Sequence, residues 1–258
     1  MRRIRLFTTA FPEGDLARQA EFAECLLRNI GCAGLDEVCL LVEGEAALPQ
    51  SAKLVQRRIG QRPQYADYFR WIDEISGPDD ISIIANADIY FDSQIGVLRV
   101  WRIPDRTVLA LSRWEIAADG GATLNDRNDS QDAWVFRGRP SGIRADYPIG
   151  VPRCDNRFTK ELELAGYAVL NPSFSLRSFH LHGGDRGEYD FEHKRGFVEG
   201  PYGYVWPHNL MPLPRLLWHN ARNRDYPLAW RFDKRHWSRV LKLHWANRLL
   251  RVLTGGRL

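Results

Sequence analysis

The sequence lacks the features that mark several classes of protein. No stretch approaches the roughly 18 consecutive apolar residues of a membrane-spanning helix, and the apolar run near the N-terminus is too short for a signal peptide. The four cysteines form no CxxC pair, so their spacing suits neither a zinc site nor a disulfide framework. We therefore expect a cytoplasmic protein with buried thiols.

Several nucleotide-binding and catalytic signatures are absent as well. No GxGxxG follows the first predicted strand, and the phosphate-cradling GxxxxGK[ST] loop is missing. The GxSxG and HExxH motifs of hydrolases and metalloproteases do not occur. A dinucleotide-binding fold would thus lack its fingerprint.

A large excess of charge of either sign is also missing, but the charge is unevenly distributed. The chain has 258 residues with 36 Lys and Arg against 32 Asp and Glu, a net charge of +4. Residues 201–258 hold 11 basic and 2 acidic residues and five of the nine tryptophans, whereas residues 1–200 hold 25 basic and 30 acidic residues. We therefore predict a catalytic domain over 1–200 and a basic, Trp-rich C-terminal extension over 201–258.

Helical and strand patterns alternate along the first part of the chain. Apolar runs predict strands over 4–11, 37–43 and 81–85, and helical spacing predicts helices over 16–29 and 64–75. This order predicts an α/β fold with a mostly parallel sheet flanked by helices. Further elements are predicted as strands over 108–114, 133–137, 167–170 and 175–182, a polar loop over 116–131 and a helix over 155–165.

The segment after the third of these strands carries the strongest chemical signal. The buried run that ends at residue 85 leads directly into Asn86-Ala87-Asp88. In an open α/β sheet ligands bind beyond the carboxyl ends of the strands, where an acid can hold a divalent cation and the cation a diphosphate. The alternative is that Asp88 only caps a turn.

Two further positions carry titratable side chains at the end of an element. His180 and His182 fall on one face of the last predicted strand, where they either ligate a metal or serve as structural histidines. Asp155 stands at the start of a helix, whose N-terminus favours the ionised carboxylate. Asp155 is thus either a general base or a plain helix cap.

The remaining candidates are residues near the ends of other strands or helices. Asp132 is a second candidate base that either binds substrate hydroxyls or belongs to a turn. Trp134 either stacks on a sugar or a nucleobase or lies in the core. Arg113 either pairs with a phosphate or with a neighbouring acid. Thr8, Arg62, Asn86 and Asn156 are further candidate binding residues.

Taken in order, these segments resemble the GT-A-fold glycosyltransferases, which use nucleotide-sugar donors. NADIYFD is similar to their metal-binding DxD motif, with Asn86 in place of the first acid, and the CDNRF helix followed by AGYAVLNPS is similar to the ED-type motif of inverting members. HLH matches their late metal-ligand histidine by position. The resemblance covers roughly residues 4–182.

The resemblance implies a single GT-A-like domain and an inverting glycosyltransferase that depends on Mn²⁺ or Mg²⁺. Asp88 with His180 or His182 would hold the metal, and Asp155 would activate a glycan or lipid-linked acceptor. The implied donor-binding set is Thr8, Arg62, Asn86, Asp88 and Arg113, and the implied acceptor-binding set is Trp134 and Asn156. A nucleotidyltransferase that makes sugar nucleotides is an alternative, although TTAFPEG after the first strand lacks the glycine-rich basic loop expected there. A second alternative is an inactive carbohydrate- or membrane-binding relative, because Asn86 and Cys154 depart from the motifs.

The C-terminal extension has three interpretations. Basic residues interleaved with Trp and Leu bind single-stranded nucleic acid, lie on anionic membrane surfaces, or fold back and pack on the acidic body. We favour peripheral docking on the inner face of the plasma membrane, because a lipid-linked acceptor would require it, and we do not expect a nucleic-acid partner.

Overall fold

The computed structural model describes residues 2–101, 103–117, 120–181 and 197–208. Most of its strands belong to a central sheet, and each helix begins or ends near that sheet. The strands and helices in chain order are β1 Ile4–Ala10, α1 Leu16–Gly31, β2 Glu37–Glu43, β3 Leu54–Ile59, α2 Tyr65–Ile75, β4 Ile81–Ala85, β5 Ile89–Tyr90, a 3-10 helix Ser93–Arg99, β6 Thr107–Leu111, β7 Arg113–Ile116, β8 Ala122–Leu124, β9 Ala133–Arg137, α3 Cys154–Leu164, β10 Ala168–Leu170 and β11 Ser178–Leu181.

The central sheet has seven strands in the order β10-β6-β9-β4-β1-β2-β3. Every neighbouring pair is parallel except the two that involve β9, which runs antiparallel to β4 and β6. A smaller sheet has the order β5-β11-β7-β8. The predicted α/β fold with a mostly parallel sheet is therefore confirmed.

Two apolar cores cover the two faces of the central sheet. On one face, Ile4 and Leu6 of β1 pack with residues of α1 and the 3-10 helix. On the other, Phe7 packs with α2 and α3 through Trp71 and Phe158. Since neighbouring residues of a strand point to opposite faces, the unbroken apolar runs of β1, β2 and β4 are those of strands buried on both sides.

The structure differs from the sequence-based prediction where strands are short or exposed. The predicted strand over 108–114 is two strands, because at Ser112 the chain leaves the large sheet for the small one. Ser112 is buried there, and its backbone N–H donates to Ser173 Oγ at 2.8 Å. The edge strand β3 was not predicted, since its half-exposed residues alternate irregularly. β8 lies within the predicted loop over 116–131.

The four cysteines are free and buried, as the sequence predicts. Burial raises the pKa of the Cys25 and Cys39 thiols to about 12, so these thiols are protonated at neutral pH. No helix in the described ranges has both the length and the apolar character needed to cross a membrane. Residues 209–258, which make up most of the predicted C-terminal extension, lie outside the described ranges.

Candidate functional site

A cavity of about 500 Å³ opens at one edge of the central sheet. The parallel strands β1, β2 and β4 end at this edge, and the antiparallel strand β9 begins there, because Ala85 is paired with Ala133. The residues before β9 and those before α3 complete the wall. The polar side chains that line the cavity are Thr9, Arg18, Glu43, Arg62, Asn86, Asp88, Arg113, Asn125, Arg127, Asp129, Ser130, Gln131, Asp132, Arg153, Asp155, Asn156 and Tyr204.

The segment Asn86–Asp88 lies at the centre of this edge, as predicted. The backbone N–H and the side-chain amide of Asn86 donate to the backbone oxygen and to Oδ1 of Asp132, at 3.1 and 3.0 Å. Oδ1 of Asn86 is buried and accepts no hydrogen bond from the described residues. Asp88 is almost fully buried yet lines the cavity. The pairing of β4 with β9 thus brings Asn86 onto Asp132.

A chain of charged side chains runs from the cavity into the small sheet. Arg113 donates to Oδ2 of Asp132 at 3.0 Å and to Oε1 of Glu115 at 2.5 Å. Oε2 of Glu115 lies 2.5 Å from Nδ1 of His180, and Nε2 of His180 lies 3.3 Å from Oδ2 of Asp88. Arg113 and His180 therefore connect three carboxylates that are far apart in sequence.

The charges in this chain shift one another's protonation equilibria. Burial opposes the charged imidazolium, but the hydrogen bonds to Asp88 and Glu115 outweigh it and raise the pKa of His180 to about 9. Burial likewise opposes ionised Glu115, but His180 and Arg113 lower the pKa of Glu115 to about 2. As arranged here, His180 is a cation between two carboxylates at neutral pH.

Asp155 lies in the first turn of α3 and faces the cavity beside Asp132. Burial, with a further contribution from the negative charge of Asp132, raises the pKa of Asp155 to about 7. The backbone N–H groups of Asn156 and Gln131 act in the opposite direction, the latter at 3.3 Å from Oδ2. Backbone N–H groups at the helix start therefore favour the ionised form as expected, but burial and a second carboxylate outweigh them.

Most of the other predicted site residues reach the cavity. Arg62 lines it with its guanidinium 6.0 Å from the ring of Phe11. Arg113 and Asn156 also line it, although Asn156 is largely buried and its backbone oxygen accepts from the N–H of Gly203 at 2.8 Å.

Thr8 and Trp134 are not placed as predicted. Thr8 is buried within β1, and the residue that faces the cavity is Thr9. Trp134 has no exposed surface and packs edge-on against Tyr65 and Phe158. Trp134 therefore cannot stack on an acceptor. It lies in the core, which is the alternative that the sequence left open.

The predicted metal ligands form a pair rather than a cluster. Among the described residues, no group of three or more His, Cys, Asp or Glu side chains is arranged to hold a metal ion. His182, the other predicted ligand, lies outside the described ranges. The donor types at Asp88, His180 and the unpartnered Asn86 Oδ1 do fit a divalent cation, and Glu115 on Nδ1 orients the imidazole as outer-shell carboxylates do in metal sites.

Sequence reasoning missed three arginines that line the cavity, Arg18, Arg127 and Arg153. Arg127 lies in the predicted polar loop over 116–131, where it pairs with Asp129. Arg153 stands two residues before Asp155, but no local pattern distinguishes it from an ordinary surface arginine. Only its place in the fold brings it to the cavity.

Comparisons with known proteins identify no family. No protein-family model matches the chain, and no curated protein sequence matches it.

Similar solved structures share little sequence with this chain. LgtC, in an active-site mutant form, aligns over 81% of this chain and 88% of its own at 10% identity and a TM-score of 0.33. The apo glycosyltransferase GlyE of Streptococcus pneumoniae aligns over 53% of this chain and 34% of its own at 15% identity and a TM-score of 0.28. 4-Diphosphocytidyl-2C-methyl-D-erythritol synthase of Anaerococcus prevotii aligns over 53% and 71% at 10% identity and a TM-score of 0.31. TM-scores this low assign neither fold nor activity.

Proposed function

We propose that this chain is a glycosyltransferase that moves a sugar from a nucleotide-sugar donor to a glycan or lipid-linked acceptor. The observation that carries the proposal is the carboxyl of Asp155, which faces a polar cavity at the carboxyl ends of the strands and has a pKa of about 7. A general base is most effective when its pKa lies near the working pH. At neutral pH a large share of Asp155 is ionised and able to accept a proton.

In the proposed reaction, Asp155 takes the proton of an acceptor hydroxyl. The hydroxyl oxygen forms the new bond to the anomeric carbon as the bond from that carbon to the diphosphate breaks. A single displacement of this kind inverts the anomeric configuration. Burial keeps the pKa of Asp155 high, with a contribution from Asp132, which is itself held by Arg113 and Asn86.

The departing diphosphate gains negative charge, which cationic side chains at the cavity stabilise. Among the cavity arginines, Arg62 and Arg113 belong to the donor-binding set that the sequence predicts. We further propose that Asp88 and His180 hold a divalent cation, Mn²⁺ or Mg²⁺. The cation would displace the Nε2 proton that His180 otherwise carries at neutral pH, because only the neutral imidazole coordinates a metal. When bound, the cation would neutralise part of the diphosphate charge.

A calorimetric titration with nucleoside diphosphates and their sugar conjugates, with and without Mn²⁺, tests the proposal. We expect saturable binding that the cation strengthens, and consumption of one nucleotide sugar with release of its nucleoside diphosphate. Asp88→Asn should remove the effect of the cation, whereas Asp146→Asn, a matched change at a fully exposed carboxylate, should not. If no nucleoside diphosphate binds under either condition, the proposal is wrong.

We also propose that the C-terminal extension docks the protein on an anionic membrane surface, the inner face of the plasma membrane. The support is compositional: residues 201–258 combine an excess of basic residues with five tryptophans. Basic segments with Trp and Leu bind anionic lipid headgroups. Docking of this kind would bring the protein to the membrane in which a lipid-linked acceptor lies.

A further inference from the structure

Two of the cavity arginines differ from the others in having an aromatic rather than a carboxylate partner in the part of the chain that the structure describes. Among the described residues, Arg62 and Arg153 form no ion pair with a carboxylate, and their guanidinium groups lie over aromatic rings instead. The charge of Arg153 contributes to lowering the pKa of Asp129, but the hydrogen bond from Arg127 to that carboxylate is the larger cause. The other three cavity arginines each have a carboxylate partner: Arg18, Arg113 and Arg127.

The segments that carry Arg62 and Arg153 are joined through their backbones. The N–H of Ile149 donates to the oxygen of Pro63 at 3.1 Å, and the N–H of Tyr65 donates to the oxygen of Tyr147 at 3.3 Å. These bonds hold the start of α2 against the loop that leads into α3. Arg62 and Arg153 therefore line the same cavity from two segments whose backbones are hydrogen-bonded to each other.

Arg153 also has an unusual backbone conformation. Its φ of 67° and ψ of 7° lie in the left-handed region, which is unfavourable for a residue with a side chain. Strain of this kind is found where function fixes the geometry. Here it is accompanied by ring contacts, since the guanidinium lies 5.6 Å from the ring centre of Phe197 and 5.0 Å from that of Tyr202.

We propose that Arg62 and Arg153 form a subsite that binds the diphosphate of the ligand directly, without a divalent cation. The carboxylates of the cavity repel an anion, so an anionic ligand requires cationic groups that are not already neutralised. A guanidinium matches phosphate oxygens with two parallel N–H donors. The identification of the diphosphate as part of a nucleotide sugar rests on the proposed function. The prediction that the subsite binds a diphosphate anion rests on the two arginines.

The test is calorimetric binding of inorganic pyrophosphate to the full chain in the presence of EDTA, with sulfate at matched ionic strength as the reference anion. We expect Arg153→Gly to weaken pyrophosphate binding about tenfold or more, since it removes charge-assisted hydrogen bonds. Because glycine adopts the left-handed conformation freely, this variant should melt no lower than the wild type. Arg62→Gln should weaken binding similarly.

The chain offers a matched control for the glycine substitution. Arg106 is exposed, has a φ of 53° and lies over the ring of Tyr167, but it does not line the cavity. Arg106→Gly should therefore bind pyrophosphate like the wild type. Equal weakening in this control would overturn the subsite, as would wild-type affinity in Arg153→Gly or no preference of the wild type for pyrophosphate over sulfate.

The same measurements separate the subsite from the proposed function. Pyrophosphate binding that depends on Arg153, with no binding of any nucleoside diphosphate or nucleotide sugar, would support the subsite and contradict the glycosyltransferase. Consumption of a nucleotide sugar at an unchanged KM by Arg153→Gly would support the enzyme and overturn the subsite.

Discussion

At the scale of single residues, Asp155 determines how the site responds to pH. The pKa of its carboxyl is about 7 because it is buried next to Asp132. The negative charge of Asp132 opposes the ionisation of Asp155 and adds to the effect of burial. The proton affinity of Asp155 therefore depends first on its burial and then on Asp132, the residue that precedes β9.

We expect kcat/KM to rise with pH and to reach half its maximum near pH 7, because Asp155 must be ionised to act as a base. Asp132→Asn removes the neighbouring negative charge, so the rising limb should move to lower pH. Asp155→Asn should lower kcat by roughly 100-fold or more, the contribution of a general base. Initial rates across a pH series in a constant-ionic-strength buffer measure all three effects.

Thermal unfolding of Asp155→Asn controls for misfolding. The folded state raises the pKa of Asp155 from the ordinary value of 3.8 to about 7. Ionisation of Asp155 therefore begins to lower the stability of the folded state as the pH rises above 3.8, and the full loss is reached above about pH 7. The neutral Asn avoids this cost, and the variant should melt at or above the wild-type temperature at pH values above that pKa. A variant that is both inactive and much less stable under those conditions would contradict this assignment.

At the scale of elements, one buried side chain ties α1 to the strand that follows the Asn86–Asp88 segment. Asn29 donates from Nδ2 to the backbone oxygen of Ile89 at 2.8 Å and accepts at Oδ1 from the N–H of Phe91 at 3.0 Å. Asn29 thereby provides a partner for the backbone oxygen of Ile89 in β5 and for the backbone N–H of Phe91, the residue after β5. The position of Asp88 depends on this contact, since β5 begins at the next residue.

Asn29→Ala should lower the free energy of unfolding by about 2–3 kcal/mol, because it leaves a buried carbonyl and a buried N–H without partners. Chemical denaturation measures the change. Leu27→Ala on the same helix is the matched control, since Leu27 is half exposed and its loss should cost about 0.5 kcal/mol or less. Equal losses in the two variants would show that the helix, not the hydrogen bonds, is responsible.

At the scale of the whole molecule, charge separates along the chain. The net charge of +4 combines an acidic first part, over residues 1–200, with a strongly basic C-terminal extension. The acidic part provides the carboxylates of the cavity. The basic part is the basis for the proposed membrane docking.

We expect the full chain to co-sediment with vesicles that contain phosphatidylglycerol and to remain in solution with vesicles of phosphatidylcholine alone. High salt should release it, since screening weakens attraction to a charged surface. A triple variant in the extension, Arg231→Gln, Lys234→Gln and Arg235→Gln, should weaken binding. Neutralising three exposed arginines of the first part, Arg3, Arg58 and Arg144, should have less effect, and equal effects would contradict docking through the extension.

Local sequence determined the elements and two of the positions that matter. Apolar runs and helical spacing fixed β1, β2, β4, α1 and α2 to within a few residues, because a buried strand and an amphipathic helix each need a continuous pattern. The same patterns placed Asp88 after a strand and Asp155 at the start of a helix.

Tertiary structure alone decided how these residues meet. The pairing of β9 with β4 brings Asp132 to Asn86 and places it near Asp155, and it buries Trp134 in the core. Periodicity describes which face of an element is apolar but not which distant element covers it. The raised pKa of Asp155 and the joining of Arg62 and Arg153 in one cavity arise from contacts between segments far apart in sequence, so no local pattern could have revealed them.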